Sequence, residues 1–416
     1  MPTAKGEKTK FLPVKPVDPN IPMGQQNDNF SVINDYTGLE IYCATTNHQT
    51  KKSRSFFTSM DPSVSVVTRV ETETLYFTNL EENICGFIQV LYSKVMGGIY
   101  KGFQLNFKMF NAIEVEGAEK TNIWESVKID NVKEFEKFKL VSKMVNFQIL
   151  PYENEENSEI IAQLLINVDL PSGSTTTNLR ADFKVDLYQG YKLYPDGTSY
   201  FLDKSVRKNE NTDGITSKRL LRHVFVPRGQ GFGTISYIDK KTKKSYDFDF
   251  AGVPVCYLDA LQGLVPNKAA SRWNFMTFQG PSYSVLCLEY TTTASYNHQK
   301  VTMWSISKDK KIVSIGSQLN NDSIIKFNST IKDPENGWSF PQSIEFNFSD
   351  MPLYRWSEDK LHLVNRYDIL GELPQIVKNI ASEIEGVRPY LYQYCQRSSF
   401  QGEEGVSIVE CTFISE

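Results

Sequence analysis

Three absences narrow the possibilities before any motif is read. No stretch approaches the roughly 18 uninterrupted apolar residues of a membrane-spanning helix, so none is expected. The six cysteines, Cys43, Cys85, Cys256, Cys287, Cys395 and Cys411, are widely spread and include no Cys-x-x-Cys pair. That argues against a zinc knuckle or a disulfide-dense secreted scaffold. Several lie inside apolar runs, such as Ile84-Cys85-Gly86-Phe87 and Leu286-Cys287-Leu288, where a thiol acts as a small buried hydrophobe and a reducing compartment is expected. An excess of one charge is also missing: 45 basic and 49 acidic side chains leave a net charge of −4. A nucleic-acid partner would require a basic excess or stripe, so none is expected.

Catalytic signatures are equally scarce. There is no Gly-x-Ser-x-Gly elbow, no His-Glu-x-x-His and no phosphate-binding loop. The histidines His48, His223, His298 and His362 are scattered, so they read as structural or surface residues and no metal site is expected. Gly229-Gln230-Gly231-Phe232-Gly233 has the look of a nucleotide loop, but the spacing to a third glycine is wrong. The strand-like Thr234-Ile235-Ser236-Tyr237-Ile238 follows it, so a β-bulge or bend is the better reading. No pair of carboxylates stands out, and neither a catalytic group nor a cofactor is expected.

What is present is β-forming. Aromatics make up 12%, with 26 Phe and 21 Tyr, and Val, Ile and Thr are common, which favours strands. The start, Met1-Pro2-Thr3-Ala4-Lys5, has no apolar core of a secretory signal, so a cytoplasmic rather than secreted protein is expected. Prolines at 2, 13, 16, 19 and 22 deny the first ~30 residues regular structure. Residues 1–55 are read as a disordered or loosely docked arm, with 31–55 resting on the first β-unit.

From about residue 60, alternation dominates. Phe103, Leu105, Phe107 and Met109 fall on one side of Tyr100–Phe110, with Gln104, Asn106 and Lys108 on the other, the pattern of a strand between core and water. The same holds for Leu164-Ile166-Val168-Leu170, Phe183-Val185-Leu187 and Ile344-Phe346-Phe348. Tyr194-Pro195-Asp196-Gly197-Thr198 marks a turn. The basic run Lys240-Lys241-Thr242-Lys243-Lys244 reads as a solvated hairpin tip between two strands. Short strands punctuated by turns imply barrels or sandwiches. The charged stretch Lys204–Arg222 suggests a division into 56–220 and 221–416, each of a size at which an up-and-down barrel closes around a small ligand. One short helix is expected, with Ile376, Val377, Ile380 and Ile384 between Pro374 and Gly386. It would cover the side of a barrel, a membrane-surface role being less suited to its weakly basic polar face.

The most unusual stretch is Ala269-Ala270-Ser271-Arg272-Trp273-Asn274-Phe275-Met276-Thr277-Phe278-Gln279. It fits a ligand cradle, in which apolar walls surround a lipid and Arg272 holds its polar head. It also fits a plug, in which Arg272 stacks on an aromatic ring and closes one end of a barrel. The candidate ligand-binding residues are Arg272, Trp273, Phe275, Phe278 and Tyr283, with Phe103 and Phe107 from the first unit.

This stretch resembles a hallmark segment of the fungal survival-factor family, named for survival under oxidative stress. Val70-Glu71-Thr72-Glu73-Thr74-Leu75-Tyr76-Phe77-Thr78-Asn79-Leu80 is similar to that family's first strand, and Phe87-Ile88-Gln89-Val90 to its second. Pro389-Tyr390-Leu391-Tyr392-Gln393-Tyr394 is similar to a stretch near its C-terminus. The resemblance runs over about residues 57–416. It implies an all-β fold of two tandem lipocalin-like antiparallel β-barrels and a non-catalytic role in ceramide movement between endoplasmic reticulum and Golgi, linked to stress survival. The implied partner is a hydrophobic small molecule or lipid, with transient contact at those membranes. The better-studied branch of the family begins with an amphipathic membrane-docking helix. Here Met1-Pro2-Thr3 followed by Lys, Gly and Glu offers no apolar face. Two other readings stay open: a ligand-free stress scaffold, and a lipocalin-like hydratase that uses a buried carboxylate as general acid.

Overall fold

Alternation in the sequence becomes register between strands. In the computed structural model, which describes residues 10–12, 30–46, 69–95, 100–113, 120–153, 159–193, 198–202, 220–263, 269–320, 325–348, 355–369 and 388–415, every described strand pairing is antiparallel. The strand Tyr100–Asn111 turns Leu105, Phe107 and Met109 into a fully buried cluster. Ala162–Ser172 and Thr176–Leu187 do the same with Leu164, Ile166, Phe183 and Val185, leaving Asn167 and Lys184 exposed.

The first sheet runs, in spatial order, through Asn122–Ile129, Tyr100–Asn111, Ile84–Val95, Arg69–Asn79, Ser245–Gln262, Leu220–Asp239, Thr176–Leu187, Ala162–Ser172, Val145–Leu150, Lys139–Val141 and Glu134–Glu136. It curls until its two ends meet through side chains. Phe103 near one end lies 4.9 Å from Phe135 at the other. Glu125, on the edge strand, accepts the backbone N–H groups of Ser174, Thr175 and Thr176 in the turn between two strands from the far side. The apolar faces of all these strands share one core, which is the arrangement of a barrel interior.

The second sheet is ordered Lys311–Asn320, Lys300–Lys308, Tyr283–Thr291, Arg272–Gln279, Glu403–Phe413, Tyr390–Phe400 and Leu363–Asp368. A small sheet of Ile325–Lys332, Ser339–Asn347 and Arg355–Glu358 covers it. One face of the second sheet packs on that small sheet around Met276, Ile306, Phe346 and Trp356. Its other face packs on the outside of the first sheet around Tyr76, Phe87, Phe225, Phe275 and Leu288.

This second contact overturns part of the alternation reading. Asn106 and Lys108 were expected in water, but both are buried. Phe110, two residues on, joins the junction between the units, so this sheet has apolar neighbours on both faces. Lys108 donates to Asn122 Oδ1 at 2.6 Å, and burial lowers its pKa to about 8.

The division by sheet also differs from the expected boundary at 220/221. Leu220–Asp239 and Ser245–Gln262 complete the first sheet, and the chain enters the second only at Arg272. The reason is long-range pairing: Val255–Gln262 lies against Val70–Phe77, a partnership that local composition does not reveal.

Residues 30–46 are integrated into the first unit rather than loosely docked. Phe30–Ile33 pairs with Gly190–Leu193, and Leu39, Ile41, Cys43 and Ala44 are buried. Lys10–Leu12 pairs with Thr198–Leu202. The basic run forms the expected hairpin tip, with Lys241, Thr242, Lys243 and Lys244 exposed. The bend expected at Gly229–Gly233 is present as register shifts between Val226 and Gly229 and between Gly231 and Phe232. The helix expected at 376–384 and residues 194–197 of the turn lie outside the described residues. Among the described residues, no helix is long and apolar enough to cross a membrane.

Candidate functional site

Polar residues on the inward face of a barrel strand stand out against their apolar companions. Along Arg69–Asn79, Leu75 and Phe77 point into the first core, so Glu71 and Glu73, at the same parity, point there too. Asp259 shares its face with Val255 and Tyr257, and Arg222 shares its face with Val224 and Val226. Register brings the three strands together: Glu73 lies opposite Asp259, and Val224 lies opposite Asp259 on the other side. Four charged side chains therefore converge at one end of the first barrel, all with 4% exposure or less.

The segment that follows Phe30–Ile33 closes this end. Glu71 accepts the N–H groups of Tyr42 at 2.7 Å and Cys43 at 2.6 Å. The Arg222 guanidinium touches Asp259, lies 3.7 Å from Glu71 and donates to the Glu40 carbonyl at 3.1 Å. The Tyr257 hydroxyl donates to Glu73 Oε2. Glu73 Oε1 and Asp259 Oδ1 are buried without a hydrogen-bond partner among the described residues. A cavity of about 10 Å³ adjoins Glu73, bounded also by Glu71, Ile41, Val90, Tyr92 and Phe135. That is room for about one water molecule.

The electrostatics follow from one guanidinium among three buried carboxylates. Burial pushes the Glu73 carboxyl well above the usual carboxylate range, and the charges of Asp259 and Glu71 push the same way. Burial raises Asp259 to about 7 against the pull of Arg222. Burial works against the charge on Arg222, but Asp259, Glu71 and Glu73 outweigh it and hold the guanidinium protonated. Carboxylate oxygens of Glu71, Glu73 and Asp259 lie within 4.8 Å of one another, close enough to share a cation. Arg222 already occupies part of that space as the cation. A carboxyl kept neutral here would serve as a hydrogen-bond donor or proton source.

The sequence reading singled out no carboxylates, yet a signal existed. Glu-x-Glu on the same parity as Leu75 and Phe77 places acids on a core face, which is uncommon unless they are paired. Its significance required the opposing Asp259 and Arg222, both more than a hundred residues away in the chain.

The expected ligand-binding residues are distributed over three places. Phe107 is buried in the first barrel, and Phe103 packs there at 5.1 Å from Tyr92. Trp273 and Phe275 face the junction, Trp273 at 5.0 Å from Tyr290 and Phe275 stacked at 5.0 Å on Tyr76. Phe278 is buried on the opposite face, in the second unit, 5.8 Å from Phe400; Tyr283 meets the same ring edge-on at 5.8 Å. Arg272 is exposed, its guanidinium 5.6 Å above the Phe413 ring. Adjacent residues of one strand point to opposite faces, so the Arg272–Gln279 run divides between the second core and the junction. His223 also sits at the junction, parallel to Phe225 at 5.8 Å; burial, aided by Arg222, lowers its pKa to about 3 and keeps it neutral.

Comparison with known proteins covers nearly the whole chain. The Svf1 family profile matches residues 4–415. An SVF1-like protein of Saccharomyces cerevisiae, YLR225C, is 47% identical over 418 residues, covering 99% of each chain. The ceramide-binding protein SVF1 of Debaryomyces hansenii is 32% identical over 366 residues, covering 84% of this chain and 86% of that one. Among solved structures, CghA is similar with a TM-score of 0.47 at 10% identity, covering 84% of this chain and 89% of that chain. A putative AttH from Nitrosomonas europaea also has a TM-score of 0.47, at 8% identity, covering 87% and 98%.

Proposed function

The chain belongs to the Svf1 family, and from that premise we propose that it is a non-catalytic binding protein for a ceramide-like lipid. The observation that carries the proposal is the 32% identity over 84% of the chain to a protein named for ceramide binding. The physics is that of shielding: a two-chain lipid leaves a membrane only if its chains find another apolar surface. Each buried methylene contributes roughly 0.8 kcal/mol before ordering costs.

The location we propose is the Arg272 end of the second unit. At the charged end of the first barrel the cavity beside Glu71 and Glu73 has a volume of about 10 Å³, and a lipid entering there would have to displace the Leu39–Ala44 segment, in which Leu39, Ile41, Cys43 and Ala44 are buried. At the second unit, the exposed Arg272 guanidinium sits over Phe413, with the buried Asn274 two residues deeper on the same face. A cation at the rim and a polar side chain below it suit a polar head whose chains run inward. Residence in the cytoplasm, with transient contact at endoplasmic reticulum and Golgi membranes, completes the proposal. It fits six buried cysteines, none of them in a disulfide, and leaves the stress link as a consequence of lipid handling.

The test is purification from a eukaryotic host followed by mass spectrometry of co-extracted lipids and titration with labelled ceramide. Ceramide retained above background is expected. Arg272→Ala should weaken binding by about tenfold, or ~1.4 kcal/mol, while thermal stability stays nearly unchanged. A second reading, a scaffold without ligand, draws on the closed end of the first barrel, where Glu71 holds the Tyr42 and Cys43 N–H groups. Failure of ceramide to bind, together with a loss of stability in Arg272→Ala, would favour it and make Arg272 a plug.

A further inference from the structure

The closed end of the first barrel has more buried negative charge than its cation can balance. Arg222 contacts Asp259 and approaches Glu71 at 3.7 Å, and Glu71 is further satisfied by the Tyr42 and Cys43 N–H groups. Glu73 receives only the Tyr257 hydroxyl, and its second oxygen has no partner among the described residues. A lone ionised carboxylate in such a place is strongly disfavoured, and a proton is the least costly remedy. We propose that Glu73 holds a proton in the folded protein at neutral pH, and that this proton keeps the 36–46 segment sealed over the end of the first barrel.

The coupling is geometric. The same carboxylate cluster that surrounds Glu73 supplies the anchor for the segment, since Glu71 is the acceptor for Tyr42 and Cys43. If Glu73 ionises, its charge joins those of Glu71 and Asp259 within 4.8 Å. Relief comes from water, and the segment stands between water and the cluster. The other groups facing the cluster are few. Arg69 belongs to the same strand and lies over the Tyr42 ring at 5.5 Å. Tyr92 borders the cavity from Ile84–Val95, and Tyr257 comes from Ser245–Gln262. Cys43 comes from the segment itself, where Glu40 pairs with Lys137 at 2.9 Å. Lys192 acts on Asp259 from farther off. Apart from Arg222, no cation contacts a carboxylate of the cluster among the described residues.

The direction with pH follows from linkage. Glu73 binds its proton more tightly in the folded chain than in the unfolded one, so its contribution is complete below the ordinary carboxylate pKa. That contribution is lost as pH rises through the raised value, and Asp259, at about 7, titrates in the same sense. The seal is therefore tightest in mild acid and loosens in alkali. None of this depends on the lipid reading.

The experiment is hydrogen exchange of the full chain at about pH 6 and about pH 9, followed by mass spectrometry and corrected for the intrinsic pH dependence of exchange. Protection of the peptide spanning residues 39–46 should fall at least about tenfold at the higher pH. In Glu73→Gln, a neutral stand-in for the protonated acid, protection should persist. Unchanged protection in the wild-type chain, or an equal fall in Glu73→Gln, would overturn the proposal. Should Glu73→Gln not fold, infrared difference spectroscopy of the wild-type chain decides, because a protonated carboxyl has a carbonyl band that ionisation abolishes. Absence of that band at neutral pH refutes the assignment. Restoration of protection at high pH by calcium or zinc would assign the cluster to a divalent cation and likewise refute it.

Discussion

Glu125 shows how a single buried acid can close a barrel. Its carboxylate accepts Thr175 N–H and Thr176 N–H at 2.8 Å each and the Thr175 hydroxyl at 2.7 Å. Burial raises its pKa, but the hydrogen bonds from Thr175, Ser174 and Thr176 outweigh that and lower it. Glu125→Gln leaves N–H donors short of an anionic acceptor and should cost about 1–3 kcal/mol. A lowered carboxylate pKa stabilises above its ordinary value and loses that contribution as pH falls. Urea midpoints of variant and wild type should therefore differ at neutral pH and converge in acid. Gly233 is a backbone case: at φ +152° a Cβ would overlap the Asp182 carbonyl. Gly233→Ala should cost at least about 1–3 kcal/mol, read as a lowered melting temperature with ligand-independent onset.

At the scale of elements, Arg228 links the long Leu220–Asp239 strand to the turn before Tyr283–Thr291. Its guanidinium donates to the carbonyls of Gly280 at 3.0 Å and Tyr283 at 3.3 Å, and to Ser284 Oγ at 2.8 Å. Glu403 secures the same turn from the other side, accepting Ser282 N–H at 2.9 Å and Tyr283 N–H at 3.1 Å. Arg228→Met removes the donors but keeps much of the packing stem. Differential scanning calorimetry should then show the single unfolding transition broaden or split, because the two units are no longer latched at that edge. An unaltered transition would mean that the apolar junction alone couples them.

Across the whole molecule, the junction is a second core rather than a surface contact, with Tyr76, Phe225, Phe275 and Leu288 all buried in it. That predicts cooperative unfolding of both units in the wild-type chain. Global stability should also decline as pH rises through about 7, because Asp259 and Glu73 both bind protons more tightly when folded. Asp259→Asn should flatten that decline in denaturant titrations across pH.

The sequence alone determined strand identity and inward faces wherever one side was apolar and the other polar, as at Leu164–Leu170. It also determined the hairpin tip at Lys240–Lys244 and the glycine bulge, because these depend on residues close together in the chain. Family membership was legible in the Ala269–Gln279 stretch, which does not require a fold to be recognised. Only the tertiary structure decided that Asn106 and Lys108 are buried, that 220–262 completes the first sheet, and that residues 30–46 seal a barrel end. Each depends on contacts between distant segments, which periodicity does not encode. The same is true of the charge cluster. Glu73 is an ordinary acid until Asp259 and Arg222 arrive across the sheet, and burial beside them and Glu71, not its identity, raises its pKa.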